Sequence, residues 1–391
     1  MARIEPLPAR RGTGLTTDFS LLGGPLHQLG RRLGLVRGET NTMRLGLAIG
    51  IGTWMVIVGM AVIGGVADRL WSLSVIGAHA RLLVAIPLFF ACETWVDPRM
   101  TAWVRSIAVN GLVPADEHAA LDTAVVRNAR WRDLWWPEAL CLLAAVLLQV
   151  AGARLTPYGA TGAADPVRRA LAARMYFGIG LTVFQFLLFR WLWKLCLWSS
   201  FLWRVSRLNL RLLAGHPDGV GGLGSLQGIH QRFSPLVAAI SFLQCASLVE
   251  SLSTGATTVS MIDPWLAVVL AMDAIVFLGP LFVFTDKLWA GRTRGMSAYM
   301  AFATRYVAKF EQKWLTDGAA TEDMLGTPDL QSLADLTNSV NVVRGMRGVP
   351  IGRRTITQLT AAAVIPLTPL LLFKYPVADL AEKVLARVLG L

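Results

Sequence analysis

The residues best suited to chemistry stand together in one short stretch, HPDGVGGLG, from His216 to Gly224. Pro217 cannot continue a helix, and Gly219, Gly221, Gly222 and Gly224 let backbone amides converge into an anion-binding nest ahead of the next helix. His216 and Asp218 could serve there as an acid and base pair, or hold a metal ion. The same residues also suit a tight reversal between two helices. No second cluster of His, Cys or carboxylate stands nearby in the chain, so no metal, no cofactor and no catalytic residue is assigned.

A second group consists of ionisable side chains inside apolar segments. His79 and Arg81 lie eight to ten residues, roughly, from the outer end of one such segment, Asp273 lies at a similar depth in another, and Glu250 belongs to a third. A charge at that depth needs a partner or a wet cavity. The spacing predicts that Arg81 and Asp273 pair in the outer half of the bundle, with His79 and Glu250 beside them. Such a cluster is either a site for a small-molecule ligand or a pairing for packing alone. A third group belongs to the last apolar segment, where Thr357, Thr360, Ala361, Val364, Thr368 and Leu371 share one helical face. Hydroxyls on such a face, followed by breaks at Pro366 and Pro369, suit a water-filled path with apolar constrictions at Val364 and Leu371. A kinked packing helix is the alternative.

These groups need apolar helices to position them, and composition supplies that class. Hydrophobic residues make up 54% of the 391 residues and the mean hydropathy is +0.52, far above a soluble domain. The sequence predicts an all-α polytopic membrane bundle of about seven spans. They run about 45–66, 71–95, 135–153, from 175, 233–253, 265–285 and 356–375. The net charge of +12 raises the question of nucleic acid, but most Lys and Arg fall on one side of these spans. That is the positive-inside rule, so nucleic acid is not required. It puts the N-terminus inside and the C-terminus outside. The chain divides into a cytoplasmic tail, 1–44, and one transmembrane domain, 45–391, with a cytoplasmic helical layer at about 97–134, 196–232 and 286–355. Phe19 to Val36 is either a broken amphipathic surface helix or a disordered part of the tail.

Several details follow from that frame. The pattern from Ala170 to Leu213 reads as one helix of roughly 66 Å, twice the hydrocarbon core. Its inner part carries Arg190 and Lys194, then Arg204, Arg207 and Arg211 among Trp191, Trp198 and Trp203. A snorkelling basic collar in contact with lipid headgroups accounts for both residue types. The first span is rich in glycine, at Gly46, Gly50, Gly52, Gly59, Gly64 and Gly65, and small residues at spacings of four either permit close helix approach or reflect loose packing. Cys92, Cys141, Cys196 and Cys245 each sit alone in a different apolar helix, as core residues do. Tyr299, Phe302, Tyr306, Phe310 and Trp314 form a seam that extends the sixth span beyond the membrane.

Two resemblances attach to these residues. HPDGVGGLG, with the later DLQSLADLTNS and GRRTITQL, resembles the pattern of a family of uncharacterised bacterial inner-membrane proteins, and the similarity would cover nearly the whole chain. The plan of seven spans, with long inner extensions and a final span preceded by an inner helix, resembles the insect odorant and gustatory receptor channels. That likeness is one of plan and not of residues. It implies four copies joined through the inner extensions and a pore lined by the last helix.

Two functions of different class come out of the sequence. One is an oligomeric channel, ligand-gated through the polar cluster, a homo-tetramer on the receptor plan. The other is a membrane enzyme or lipid-binding protein that acts on anionic headgroups through His216 and Asp218, with Arg204, Arg207 and Arg211 as anion contacts.

Overall fold

A computed structural model of the chain describes residues 19–38, 40–65, 67–71, 75–155, 176–253, 255, 257–316 and 327–370. Among them every extended element is helical. They are α1 (Gly24–Arg32), α2 (Met43–Ile63), α3 (Ile76–Val109), α4 (His118–Asp133), α5 (Trp136–Leu155) and α6 (Leu181–Arg207). After these come α7 (Gly224–Gln231), α8 (Ser234–Ser253), α9 (Ile262–Leu278), α10 (Thr285–Trp314), α11 (Pro328–Arg344) and α12 (Arg353–Val364). Five stretches are long and apolar enough to cross a membrane, and a sixth results if Ala115–Asp133 and Trp136–Ala151, bent by 45°, count as one. The chain is a polytopic membrane helix bundle. The seventh segment of the sequence reading, 356–375, is helical as far as Leu370, and its remainder lies outside the described residues.

The sequence explains how the helices approach one another. A methyl group at Gly46 would strike the Phe90 ring at 2.6–2.8 Å, and one at Gly50 would strike the Leu82 carbonyl. The two glycines, one turn apart, therefore set the contact of α2 with α3. Gly52 and Gly59 face open space, as lipid-facing residues do. Trp136–Leu155 leaves Leu140, Leu143 and Leu147 exposed, which in a bilayer is lipid contact and not a defect.

Helix α6 is shorter than its pattern. It ends at Arg207, because Leu208 turns extended at ψ 156°, and the Arg211 amide donates instead to the Leu112 carbonyl at 2.8 Å. The residues before Tyr176 lie outside the described part, so the long helix from Ala170 is confirmed only for its central portion. The sixth span does continue as a long rod, with a 3₁₀ break at Gly279–Phe284 where Pro280 has no amide to donate. The C-terminal part of that rod packs on α11, and Tyr306 Oη, Lys313 and Trp314 all bond Asp329.

The densest packing lies where α3, α5 and α6 meet the segment from Phe19. Phe19 is 1% exposed and sits between Trp198 and Phe201, with ring centroids at 5.6 and 4.4 Å. This segment is part of the bundle and not a free tail. Ser20 Oγ and the Leu21 amide donate to Asp97, the latter at 2.6 Å, and Arg132 donates to the Ser20 carbonyl at 2.9 Å. His27 of α1 is buried, and burial lowers its pKa to about 4, so it is neutral at neutral pH.

Beneath this strap lies a buried charge network. Glu93 Oε1 accepts from Arg190 Nη1 at 2.5 Å and from Lys194 Nζ at 2.7 Å, and Arg190 Nε donates to Glu138 at 2.8 Å. Arg190 and Lys194 are therefore core ion-pair partners and not part of a snorkelling collar. Removing one member leaves uncompensated charge, which costs about 3–5 kcal/mol, against under about 1 kcal/mol for an exposed collar arginine. Arg190→Met should accordingly lower the unfolding stability of the detergent-solubilised protein by several kcal/mol. A change within about 0.5 kcal/mol, the size of an ordinary surface substitution, would return Arg190 to the collar.

Candidate functional site

The HPDGVGGLG turn is held by one side chain. Asp218 accepts from the backbone amides of Val220 at 2.9 Å, Gly222 at 3.0 Å and Gly224 at 2.8 Å. The amide nest that the glycines permit is thus filled by the chain's own carboxylate. Gly219, Gly221 and Gly222 take φ of +66°, +67° and +102°, and these left-handed positions are why glycine is needed there. Burial opposes the charge on Asp218, but the three amides and His216 outweigh it and hold the carboxyl below the usual carboxylate range. His216 Nδ1 lies 2.9 Å from Asp218 Oδ1. Arg347 clamps the turn from the loop after α11, donating to the Asp218 and Ile351 carbonyls at 3.0 and 2.7 Å. This geometry anchors a reversal between helices and leaves the converging amides engaged.

The intramembrane polar residues separate into two places. Arg81 lies in a π-helical turn of α3, Ala80–Ala85, and its Nη1 donates at 2.6 Å to the hydroxyl of Tyr176, itself in a π-helical turn, Tyr176–Gly180. Its Nη2 reaches Ser247 of α8 at 3.2 Å. Glu250 is close: a methyl at Gly77 would meet Glu250 Oε2 at 2.6 Å and Arg81 Nη1 at 2.9 Å. His79 is engaged by Trp54 Nε1 at 2.9 Å and the Leu70 carbonyl at 2.6 Å, and Trp71 stacks on it. Arg81, Glu250 and His79 are therefore neighbours at one end of the bundle. Single π turns favour functional positions, because they re-aim side chains at the expense of regular hydrogen bonding.

Asp273 lies elsewhere. It stands beside Ser241 of α8, six residues or about 9 Å along that helix from Ser247. The structure does not bring it to Arg81. Equal depth counted from each helix's outer end does not decide the partner, because Arg81 meets α8 at Ser247 and Asp273 meets it at Ser241.

The last segment divides into two faces. Thr355, Leu359, Ala363, Leu367 and Leu370 are buried, while Thr357, Thr360, Ala361, Val364 and Thr368 are exposed. Leu371 lies outside the described residues. Gln231 Nε2 donates to Thr355 Oγ1 at 3.0 Å, and Gln358 donates to the Gln231 carbonyl and Ser234 Oγ, both at 3.1 Å. At the inner edge of α6, Arg207 lies over the Trp203 ring at 5.1 Å, both exposed; Arg211 is exposed as well and Arg204 half-buried. Among the described residues no three His, Cys, Asp or Glu side chains converge as a metal site.

Nothing among protein-family models, curated proteins or solved structures matches the chain. The resemblances carried by the turn motif and by the span plan gain no support from these comparisons. Function must be argued from the geometry alone.

Sequence reasoning missed the Glu93, Glu138, Arg190 and Lys194 network. Its signal was available: a carboxylate, Glu93, inside the second apolar segment near its end, and Arg190 and Lys194 four residues apart on one helical face. The partner rule was applied to Arg81 and not to them.

Because Asp218 is a carboxylate with a depressed pKa, its contribution is full above the usual carboxylate range and is lost as pH falls through the folded value. Asp218→Asn should weaken the protein by about 1–2 kcal/mol at pH 7 and flatten the acid limb of a thermal-unfolding series from neutral to strongly acidic pH. An unchanged acid limb would separate the carboxylate from the stability of the turn.

Proposed function

We propose that the chain is an oligomeric membrane channel in a bacterial inner membrane, with its last helix lining the path. The observation that carries this reading is the direction of the polar face of α12. Thr357, Thr360, Ala361, Val364 and Thr368 are exposed, Thr360 at the edge of a cleft against α9, while the opposite face packs on α8. Thr357 and Thr368 donate to the Arg354 and Ile365 carbonyls of their own segment, which leaves hydroxyl oxygens free to accept from water at the centre of a ring of copies. In that arrangement Val364, 40% exposed, and Leu371 after it are apolar constrictions that close by dewetting. Four copies are our working number.

The turn from His216 to Gly224 then serves to fix the inner ends of α6 and α7. Arg204, Arg207 and Arg211 meet anionic headgroups at the inner surface. The N-terminus lies inside and the C-terminus outside. Arg81, Glu250 and His79 form a regulatory site near the outer ends of α3 and α8, where a small ligand could engage the arginine.

Reconstituted liposomes should pass ions, and Val364→Ser or Leu371→Ser should raise that flux by about tenfold, corresponding to removal of an apolar barrier of about 1.4 kcal/mol. Flux that ignores both substitutions would remove α12 from the path. The orientation has its own check. In a cysteine-free background, His216→Cys should be labelled only from the inside and a tag after Leu391 should be reached only from the outside. Finding both on one side would overturn the topology.

A further inference from the structure

A cavity lies between α8, α9 and α12. Its volume is about 130 Å³. Its walls are apolar, chiefly Leu270, Phe277, Leu359 and Ala363, and two polar side chains enter them, Asp273 and Thr360. No lining residue is basic. Asp273 is 6% exposed, and its Oδ2 is buried without a hydrogen-bond partner. Ser241 of α8, fully buried, stands beside the carboxylate as a polar neighbour on that helix, and it brings no positive charge. The cavity is reached past Ala274, Ile356 and Thr360, all exposed.

A buried carboxyl with no cationic side chain beside it is costly unless something supplies the missing charge or donor. The surroundings restrict what that can be. A bare inorganic cation needs several oxygen ligands, and here most of the wall is hydrocarbon. An anion is excluded by the carboxylate. Water gains little from walls of this kind, since apolar cavities of about 150 Å³ stay dry and accept a molecule the size of benzene. The chemistry that answers all three constraints is a primary ammonium on a small apolar body. Its N–H groups have Asp273 and the hydroxyl of Thr360 to donate to, and its hydrocarbon fills the space between Leu270, Phe277 and Leu359.

We infer that the cavity between α8, α9 and α12 binds small apolar amines as their ammonium ions, with Asp273 as counter-ion. The site stands on its own geometry and does not depend on conduction. It is separate from the cluster around Arg81. Because α12 forms one wall, occupancy would also hold the last helix against α9. The ammonium can come from a free amine or from an aminophospholipid headgroup entering from the membrane side.

The test uses the full chain in phosphatidylcholine nanodiscs, with benzylammonium as probe and benzyl alcohol as its neutral match. Equilibrium dialysis against protein-free discs reads binding directly, without any flux measurement. The wild type should bind benzylammonium saturably and prefer it to benzyl alcohol. Asp273→Asn, which keeps the shape and removes the charge, should weaken binding by tenfold or more, about the worth of one charge-assisted hydrogen bond. Ala274→Phe narrows the mouth from an exposed position and should weaken it similarly, so that it decides the matter if Asp273→Asn fails to fold. Discs containing phosphatidylethanolamine identify the source: competition by that lipid supports the headgroup, and undiminished binding supports a free amine. No saturable binding to the wild type, or equal binding by Asp273→Asn, overturns the site. Silent liposomes alongside intact binding would overturn the channel and leave the amine site in place.

Discussion

The bundle depends on the neutral cluster that Glu93, Arg190, Lys194 and Glu138 make at the meeting of α3, α5 and α6. Two positive and two negative groups are removed from water together, so none can be withdrawn without exposing another. Glu93 Oε1 takes two donors, and Glu138 divides its oxygens between Arg190 Nε at 2.8 Å and the Leu26 amide at 2.9 Å. The second of those bonds matters for architecture. It ties α1 to the ion pairs, and the Gly23 carbonyl adds a contact from Arg190 Nη2 at 3.4 Å. The registers of three spanning helices and the seating of the N-terminal strap are therefore fixed by one set of charges, where apolar packing alone would permit sliding.

That fixed point propagates along α6. One turn beyond Lys194, Trp198 is fully buried, and its Nε1 donates to His230 Nε2 at 3.4 Å, while His230 Nδ1 lies 2.7 Å from the Phe277 carbonyl. A single tautomer satisfies both contacts: Nδ1 carries the proton toward the carbonyl and Nε2 accepts from the indole. The chain of contacts links α6 to α7 and to the end of α9, just before the 3₁₀ break. Phe277 also lines the cavity that Asp273 enters. The position of that cavity is thus set by the same helix that carries the buried cations.

How much of this was legible in the sequence depended on the kind of signal. Long apolar segments were legible because hydropathy over about 20 residues is nearly context-free, and so was the approach of α2 to α3 through Gly46 and Gly50. The end of α6 was not, since Arg207 to Leu213 keeps a helical pattern. The break comes from the long-range bond of the Arg211 amide to Leu112. Partner choice among buried charges was the weakest inference. Arg81 was assigned to Asp273 by depth, but α8 offers Ser247 and Glu250 at one level and Ser241 at another, and the two charges were divided between them. The turn at Asp218 was legible as glycine-rich. Only coordinates reveal that a carboxylate within the motif occupies the amides that an anion would use.

The last helix shows why its two faces must be considered together. Its N-terminal end is pinned by Gln231 to Thr355 and by Gln358 to the Gln231 carbonyl and Ser234. Its C-terminal part passes at Ile365 into a 3₁₀ stretch containing Pro366 and Pro369, where the regular amide ladder is interrupted. The stretch after the break still packs on α8 through the buried Leu367 and Leu370. The buried face there has small or flexible packing residues, Ala363 and Leu367, so a change in what fills the space beside Ala363 is felt on the exposed face one turn away. The polar face and the cavity are two sides of one helix, and packing on one side sets the position of the other.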